Sequence, residues 1–218
     1  MTSSEWHFPA ETVTFINDLK TNNNREWFQA NKAVFEEAYK KPAEFFANMM
    51  SEQMAGRFGG NFTPKVFRIY RDVRFSKDKT PYNTQLHISF SPVGGGMPAY
   101  FFGLETDRLV LGAGSFGFTG DTLIRYQQDI LGDRGAALEG VSSGLLAAGY
   151  RLSEPALKRV PRGMPVDHPR ADLLRYKGFA AWFDFPDTAA ATSDGLVETC
   201  LNRFAELKPL VDWLAGLN

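Results

Sequence analysis

The chain is poor in the residues that metal and disulfide chemistry require. It has one cysteine, Cys200, and three histidines, His7, His87 and His168, in 218 residues. One cysteine excludes an internal disulfide framework and any multi-cysteine zinc or iron–sulfur site, and three scattered histidines leave little material for a metal centre. An excess of one charge is also missing. Against 25 Asp+Glu stand 24 Lys+Arg, a formal net charge of −1, which argues against a strongly basic nucleic-acid protein. No apolar run approaches the ~20 residues of a membrane span. The opening MTSSEWHFPAETV has neither the basic start nor the apolar stretch of a secretory signal. The expectation is a cytoplasmic, reduced protein with no cofactor, no metal and no membrane partner.

What is present is ordinary globular material. At 44% hydrophobic and 14% aromatic residues, a chain of this length can bury a core without staples. Residues 9–55 read as helices. Phe15, Ile16 and Leu19 share one helical face, and TNNN breaks the pattern with Asn24 as an N-cap. A second helix is expected from Arg25 to Tyr39, with Trp27, Asn31, Val34, Phe35 and Ala38 inward. Lys41-Pro42 opens a third, carrying Phe45, Phe46, Met49, Met50 and Met54. Residues 65–116 read as sheet. KVFRIYRDVRF (65–75) alternates with period two, Phe67, Ile69, Val73 and Phe75 against Arg68, Tyr70, Asp72 and Arg74, with Arg71 breaking the pattern. QLHISF (85–90), AYFFGLE (99–105) and RLVLGAG (108–114) follow with short links, as in an antiparallel meander. Residues 119–217 return to helices, with a Pro-rich irregular stretch over 149–169. The order predicts a single α+β domain over 1–218, with an antiparallel sheet of about four or five strands packed by N-terminal and C-terminal helices.

The neutral total hides an asymmetry. Between Arg57 and Lys79 there are seven Lys/Arg and two Asp, and between Lys158 and Lys177 six Lys/Arg and two Asp. RIYRDVRFSKDKTPYN (68–83) is the densest chemistry. As a strand it would set Arg68, Tyr70, Asp72 and Arg74 on one face, joined by His87 from the next strand. Guanidinium groups grip phosphate or carboxylate bidentately, so one reading is an anion-recognition face. Arg68, Arg71, Arg74, Lys79 and Tyr82 would form it, helped by Arg159 and Arg162 from KRVPRGMPVDHPR (158–170). Its ligand would be an anionic small molecule. The other reading is structural: an Arg–Asp–Arg ladder, with Arg71 as an anchor for loop carbonyls and 158–170 as a basic connector ending in a helix cap.

An enzyme is an alternative on the same face, with Asp72 as general base and Tyr82, Lys79 or His87 as acid. A nucleic-acid or protein interaction module is a second alternative. It is disfavoured because the alternation would point Phe67 and Phe75 away from the arginines, so that stacking and phosphate contacts fall on different faces. In NNNREWF (22–28) cap and packing roles dominate, with Arg25 the one group free for function or for bracing a neighbouring turn. GAGSFG (112–117) spells a dinucleotide fingerprint, but FTGD intervenes before the next helix, so turn glycines are the better reading. Cys200 sits at core spacing.

NNNREWF, RIYRDVRFSKDKTPYNT and KRVPRGMPVDHPRADLLRYKG resemble a widespread family of conserved hypothetical proteins, a domain of unknown function. The likeness covers most of the chain from about Phe8 onward. It implies one α+β domain and brings no activity, cofactor or catalytic residue with it. Where that family often has lysine after Pro-Tyr, this chain has Asn83.

Overall fold

In the computed structural model, which describes residues 5–217, the chain begins with helices whose apolar residues recur on one face. The first four residues, part of the stretch read for a leader, and Asn218 lie outside the described residues. Helix α1 (Ala10–Thr21) buries Thr12, Phe15, Ile16 and Leu19. Helix α2 (Arg25–Ala30) starts where expected, with the Asn24 side chain accepting from Trp27 N at 2.9 Å. A single turn, α3 (Lys32–Val34), runs into a π-helical stretch, Phe35–Lys40, and then α4 (Lys41–Phe58). Helix therefore continues through Lys41-Pro42, where a new start was expected. Pro42 has no N–H to give the carbonyl of Ala38 four residues back, and the wide turn lies immediately before it. The Thr12 hydroxyl, buried on α1, donates to Ala38 O at 2.5 Å and supplies the missing bond. The interruption at Asn31 also shifts the buried face. Phe28 and Tyr39 are fully buried, whereas Val34 is exposed.

Six strands form one sheet, more than the four or five expected: β1 (Phe62–Val66), β2 (Leu86–Pro92), β3 (Ala99–Leu104), β4 (Leu109–Ser115), β5 (Arg151–Leu152) and β6 (Phe179–Asp184). Their order is β1-β2-β3-β4-β6-β5 and every neighbouring pair is antiparallel. The meander β2–β3–β4 is the one read from the sequence. Strand β5 comes from the stretch expected to be irregular, and β6 from the part expected to be helical. FAAWFD has no alternation to announce a strand; its partner β4 makes it one.

Register sorts the two faces. Ile88, Phe102 and Leu111 align in one row, and Phe90, Tyr100 and Ala113 in another. All six are buried, with α4 lying against β1 and α7 against β4. The opposite face carries Ser89, Phe101, Gly112 and Trp182 in register. Gly112 and Gly114 are strand residues, not turn glycines. A Cβ at Gly112 would collide with the Trp182 ring, and one at Gly114 with the Phe179 carbonyl. They permit close approach of β6, and no helix begins until α5 (Gly120–Leu131), so the dinucleotide geometry is absent.

Helices α5, α6 (Asp133–Ala147) and α7 (Leu196–Ala215), with a 3-10 turn at Ala171–Arg175, complete the layer. Helix α7 runs unbroken past Pro209, whose flanking Leu207 and Leu210 are held in the core. Cys200 is fully buried there, and burial pushes its thiol pKa far up, as expected of a core thiol. N-terminal helices, sheet and C-terminal helices share one hydrophobic core.

The strand expected over 65–75 is the main correction. Strand β1 lies earlier, with Pro64 tolerated because β1 is an edge. At Phe67 N, which donates to His87 O at 2.9 Å, the ladder ends. Ile69–Arg71 then fold back on Pro81–Asn83. Asn83 N donates to Ile69 O at 2.7 Å, Arg71 N to Pro81 O at 2.9 Å, and Tyr70 bridges Tyr82. Pro81 has no N–H with which to extend this minimal pairing. The expected face of Arg68, Tyr70, Asp72 and Arg74 therefore does not form. Nor do the phenylalanines turn inward: Phe67 is exposed, and Phe75 is 96% exposed at the loop tip.

Candidate functional site

The hairpin over 67–85 is fastened to α2 by one side chain. Asn23 Nδ2 donates to Tyr82 O at 2.9 Å, and its Oδ1 accepts from Tyr82 N at 3.1 Å. This two-point clamp explains an asparagine that sequence reading assigned only to a turn. Behind it Tyr82 stacks on Phe28, ring centroids 4.1 Å apart and planes 17° apart. Burial pushes the Tyr82 phenol pKa up, nearby Tyr70 pushes the same way, and Arg25 opposes both. Tyr70 packs edge-on to Phe28 at 5.8 Å and tilted to Tyr82 at 5.4 Å, yet remains 50% exposed.

Inside the hairpin most cations are already engaged. Arg71 Nη1 donates to Asp78 Oδ2 at 2.6 Å, to Thr80 O at 3.1 Å and to Thr80 Oγ1. Asp78 also accepts from Thr80 N, and these bonds hold its carboxyl pKa down to about 2. Arg74 grips Asp72 through Nε at 3.0 Å and Nη2 at 2.7 Å. Lys79 Nζ donates to Val73 O at 2.9 Å, closing the loop. The structural-anchor reading of Arg71 therefore describes half of that side chain. All its side-chain bonds leave from Nη1, while Nε and Nη2 make none and are not buried.

Arg71 lines a groove of about 400 Å³. Its walls include Arg25, Gln29, Tyr70, Arg71 and Tyr82, and no carboxylate. The Arg25 side chain is exposed and, among the described residues, makes no hydrogen bond or ion pair. Tyr70 lines both this groove and a second one of about 340 Å³, whose walls include Phe35, Val66, Phe67, Arg68 and Lys32. Arg68 also borders a third hollow, with Lys65 and Asn83. Asn83 Nδ2 donates to Arg68 O at 3.0 Å, a bracing role in place of a cation.

Among the predicted ligand residues, Arg71 and Tyr82 thus meet in one groove and Arg68 flanks it. Arg74 and Lys79 are committed within the loop. Arg159 and Arg162 are elsewhere. Their segment connects β5 to β6 at the opposite edge of the sheet from β1, five strand spacings or about 24 Å away at the strands. It packs beside α5: Arg170 Nε donates to Ile130 O at 2.7 Å and Nη2 to Gly132 O at 3.0 Å. His168 Nδ1 accepts from Arg170 N at 3.1 Å, just ahead of the 3-10 turn. None of the three grooves takes a residue from this segment. Arg25, by contrast, becomes central. It was the one group of NNNREWF left outside cap and packing roles, but nothing in the sequence marked Gln29 or the Asn23 clamp.

The acid–base candidates do not gather. Asp72 lines none of these grooves, and its hydrogen bonds from Arg74 hold its carboxyl below the ordinary carboxylate range. That makes it a poor base at neutral pH. His87 lies on the sheet face away from the core, between Phe101 (4.9 Å) and Phe67 (6.3 Å), with Nε2 buried and unbonded. Burial pushes its pKa down, so it is a neutral ring at pH 7. Among the described residues no cluster of three or more His, Cys, Asp or Glu suits a metal ion, and no helix is long and apolar enough to cross a membrane.

The protein is thus of the α+β class, an antiparallel sheet under helices with a cation-lined groove where its first edge strand leaves the ladder. The chain belongs to the family described as conserved hypothetical protein (DUF2461), whose model matches residues 11–213. No curated protein matches it.

Proposed function

We propose that the protein recognises an anionic small molecule, bearing phosphate or carboxylate, in the groove between α2 and the 67–85 hairpin. One observation carries this reading: Arg71 makes its side-chain hydrogen bonds through Nη1 alone, and it shares with Arg25 a groove whose lining holds no carboxylate. A guanidinium fixed on one side presents its remaining donors in a defined plane and loses little freedom on binding. Gln29 adds an amide to the same wall, and the Tyr70 and Tyr82 rings shield it on one side.

Thermal unfolding in the presence of inorganic phosphate and of simple carboxylates tests the reading. A ligand held at 100-fold excess over its Kd stabilises by about 2.7 kcal/mol, and Arg25→Gln is expected to remove that gain while leaving the unliganded melting temperature unchanged. No stabilisation by any anion, or stabilisation that survives Arg25→Gln, overturns it.

A further inference from the structure

The two grooves beside Tyr70 differ in kind. The one lined by Arg25 and Arg71 has two guanidinium groups and no acid. The other has an apolar floor of Phe35, Val66, Phe67 and Tyr70, and its charges are mixed. Lys32 and Arg68 line it together with Glu36, paired with Lys40 at 3.0 Å, and Glu44. A bare anion gains nothing from that second groove, whereas an apolar ring does. Tyr70 is the shared wall. It is backed by Phe28 and Tyr82 and half open to solvent, so its ring is already held in place and a stacking partner costs little ordering.

We infer that the ligand is an aromatic anion, a planar ring bearing a phosphate or carboxylate. Its acidic group sits between Arg25 and Arg71, and its ring lies against Tyr70 over the Phe35–Phe67 floor. This rests on the anion reading above and adds the class of molecule. The π-helical stretch Phe35–Lys40 contributes Phe35 to that floor, so the local helix widening ahead of Pro42 also shapes the site.

Calorimetric titration of the full chain with inorganic phosphate and with phenyl phosphate separates the two levels. Phenyl phosphate is expected to bind at least tenfold more tightly than inorganic phosphate. Phe67→Ala, outside the anion groove, is expected to shrink that advantage to threefold or less while leaving the inorganic phosphate affinity within twofold, and Tyr70→Ala is expected to shrink the advantage as well. Arg25→Gln is expected to weaken both probes. Phe67 is exposed, so its variant serves should Tyr70→Ala fail to fold. Equal affinity of the wild-type chain for the two probes overturns the ring site and leaves the anion site standing. A phenyl advantage that survives both aromatic substitutions overturns it as well. Binding of neither probe overturns the anion reading and this inference together.

Discussion

The two basic segments look alike on paper and are used differently. Arg57–Lys79 has seven Lys/Arg against two Asp, and Lys158–Lys177 six against two. In the second, the arginines nearest the core satisfy backbone carbonyls. Arg170 donates to the Ile130 carbonyl of α5 and to that of Gly132 just after it, and also lies 3.5 Å from Glu139, while Arg175 Nε donates to Leu157 O at 3.0 Å. What remains, Arg159 and Arg162, stands on an exposed loop. In the first, neutralisation is incomplete and lopsided: the carboxylates fall on Nη1 of Arg71 and on Arg74, and Arg71 also lines a groove. Local charge density therefore says little about binding. What matters is which donor atoms the chain's own oxygens fail to reach, and whether they border a hollow.

That contrast can be broken by experiment. The largest effect is expected at Arg170→Ala. Its guanidinium is largely buried, with 16% side-chain exposure, and without it the Ile130 carbonyl of α5 loses its side-chain donor and Glu139 its cation. A stability loss of about 2–3 kcal/mol in chemical denaturation is expected, with no change in the anion response. A weakened anion response in the folded variant would join the two segments after all.

A smaller, local effect is expected on acidification. The Asp78 carboxyl is held down to about 2 in the fold, against an ordinary value near 3.8. Its anchoring of Arg71 is therefore complete above about pH 4 and is lost as pH falls toward 2. Amide exchange at Thr80, whose N–H Asp78 accepts, should stay slow down to pH 4 and quicken below it, before global unfolding. Unchanged protection at pH 2.5 would mean that Asp78 does not hold the loop. The smallest effect is expected for Arg159→Gln with Arg162→Gln. Stability should move by less than about 0.5 kcal/mol and anion binding should not move at all; a loss of binding would restore the convergence of the two segments.

The corrections share one physical cause. Period-two alternation in 65–75 was real in the letters, but alternation says only that a segment would suit a half-buried strand if a partner existed. Past Val66 the β2 neighbour ends its ladder at His87, and residues 69–71 pair instead with 81–83 up to Pro81, where no N–H is available. Phe75, expected inward, is left at the tip. The reverse happened at β6. FAAWFD has no pattern of its own, and the all-buried strand β4 beside it, with glycines that admit close approach, makes it a strand.

By itself the sequence determined the local elements. Helical spacing with its cap at Asn24, the alternation of Leu86, Ile88 and Phe90, and the burial of Cys200 all depend on neighbours a few residues apart. Only the tertiary structure decided the site. Whether Arg71 keeps a free edge, whether Arg25 stands beside it, and whether Arg159 and Arg162 are near depend on contacts across tens of residues and on strand order. Hydrogen bonding and charge pairing act between atoms a few ångströms apart in space, and linear spacing does not encode that distance.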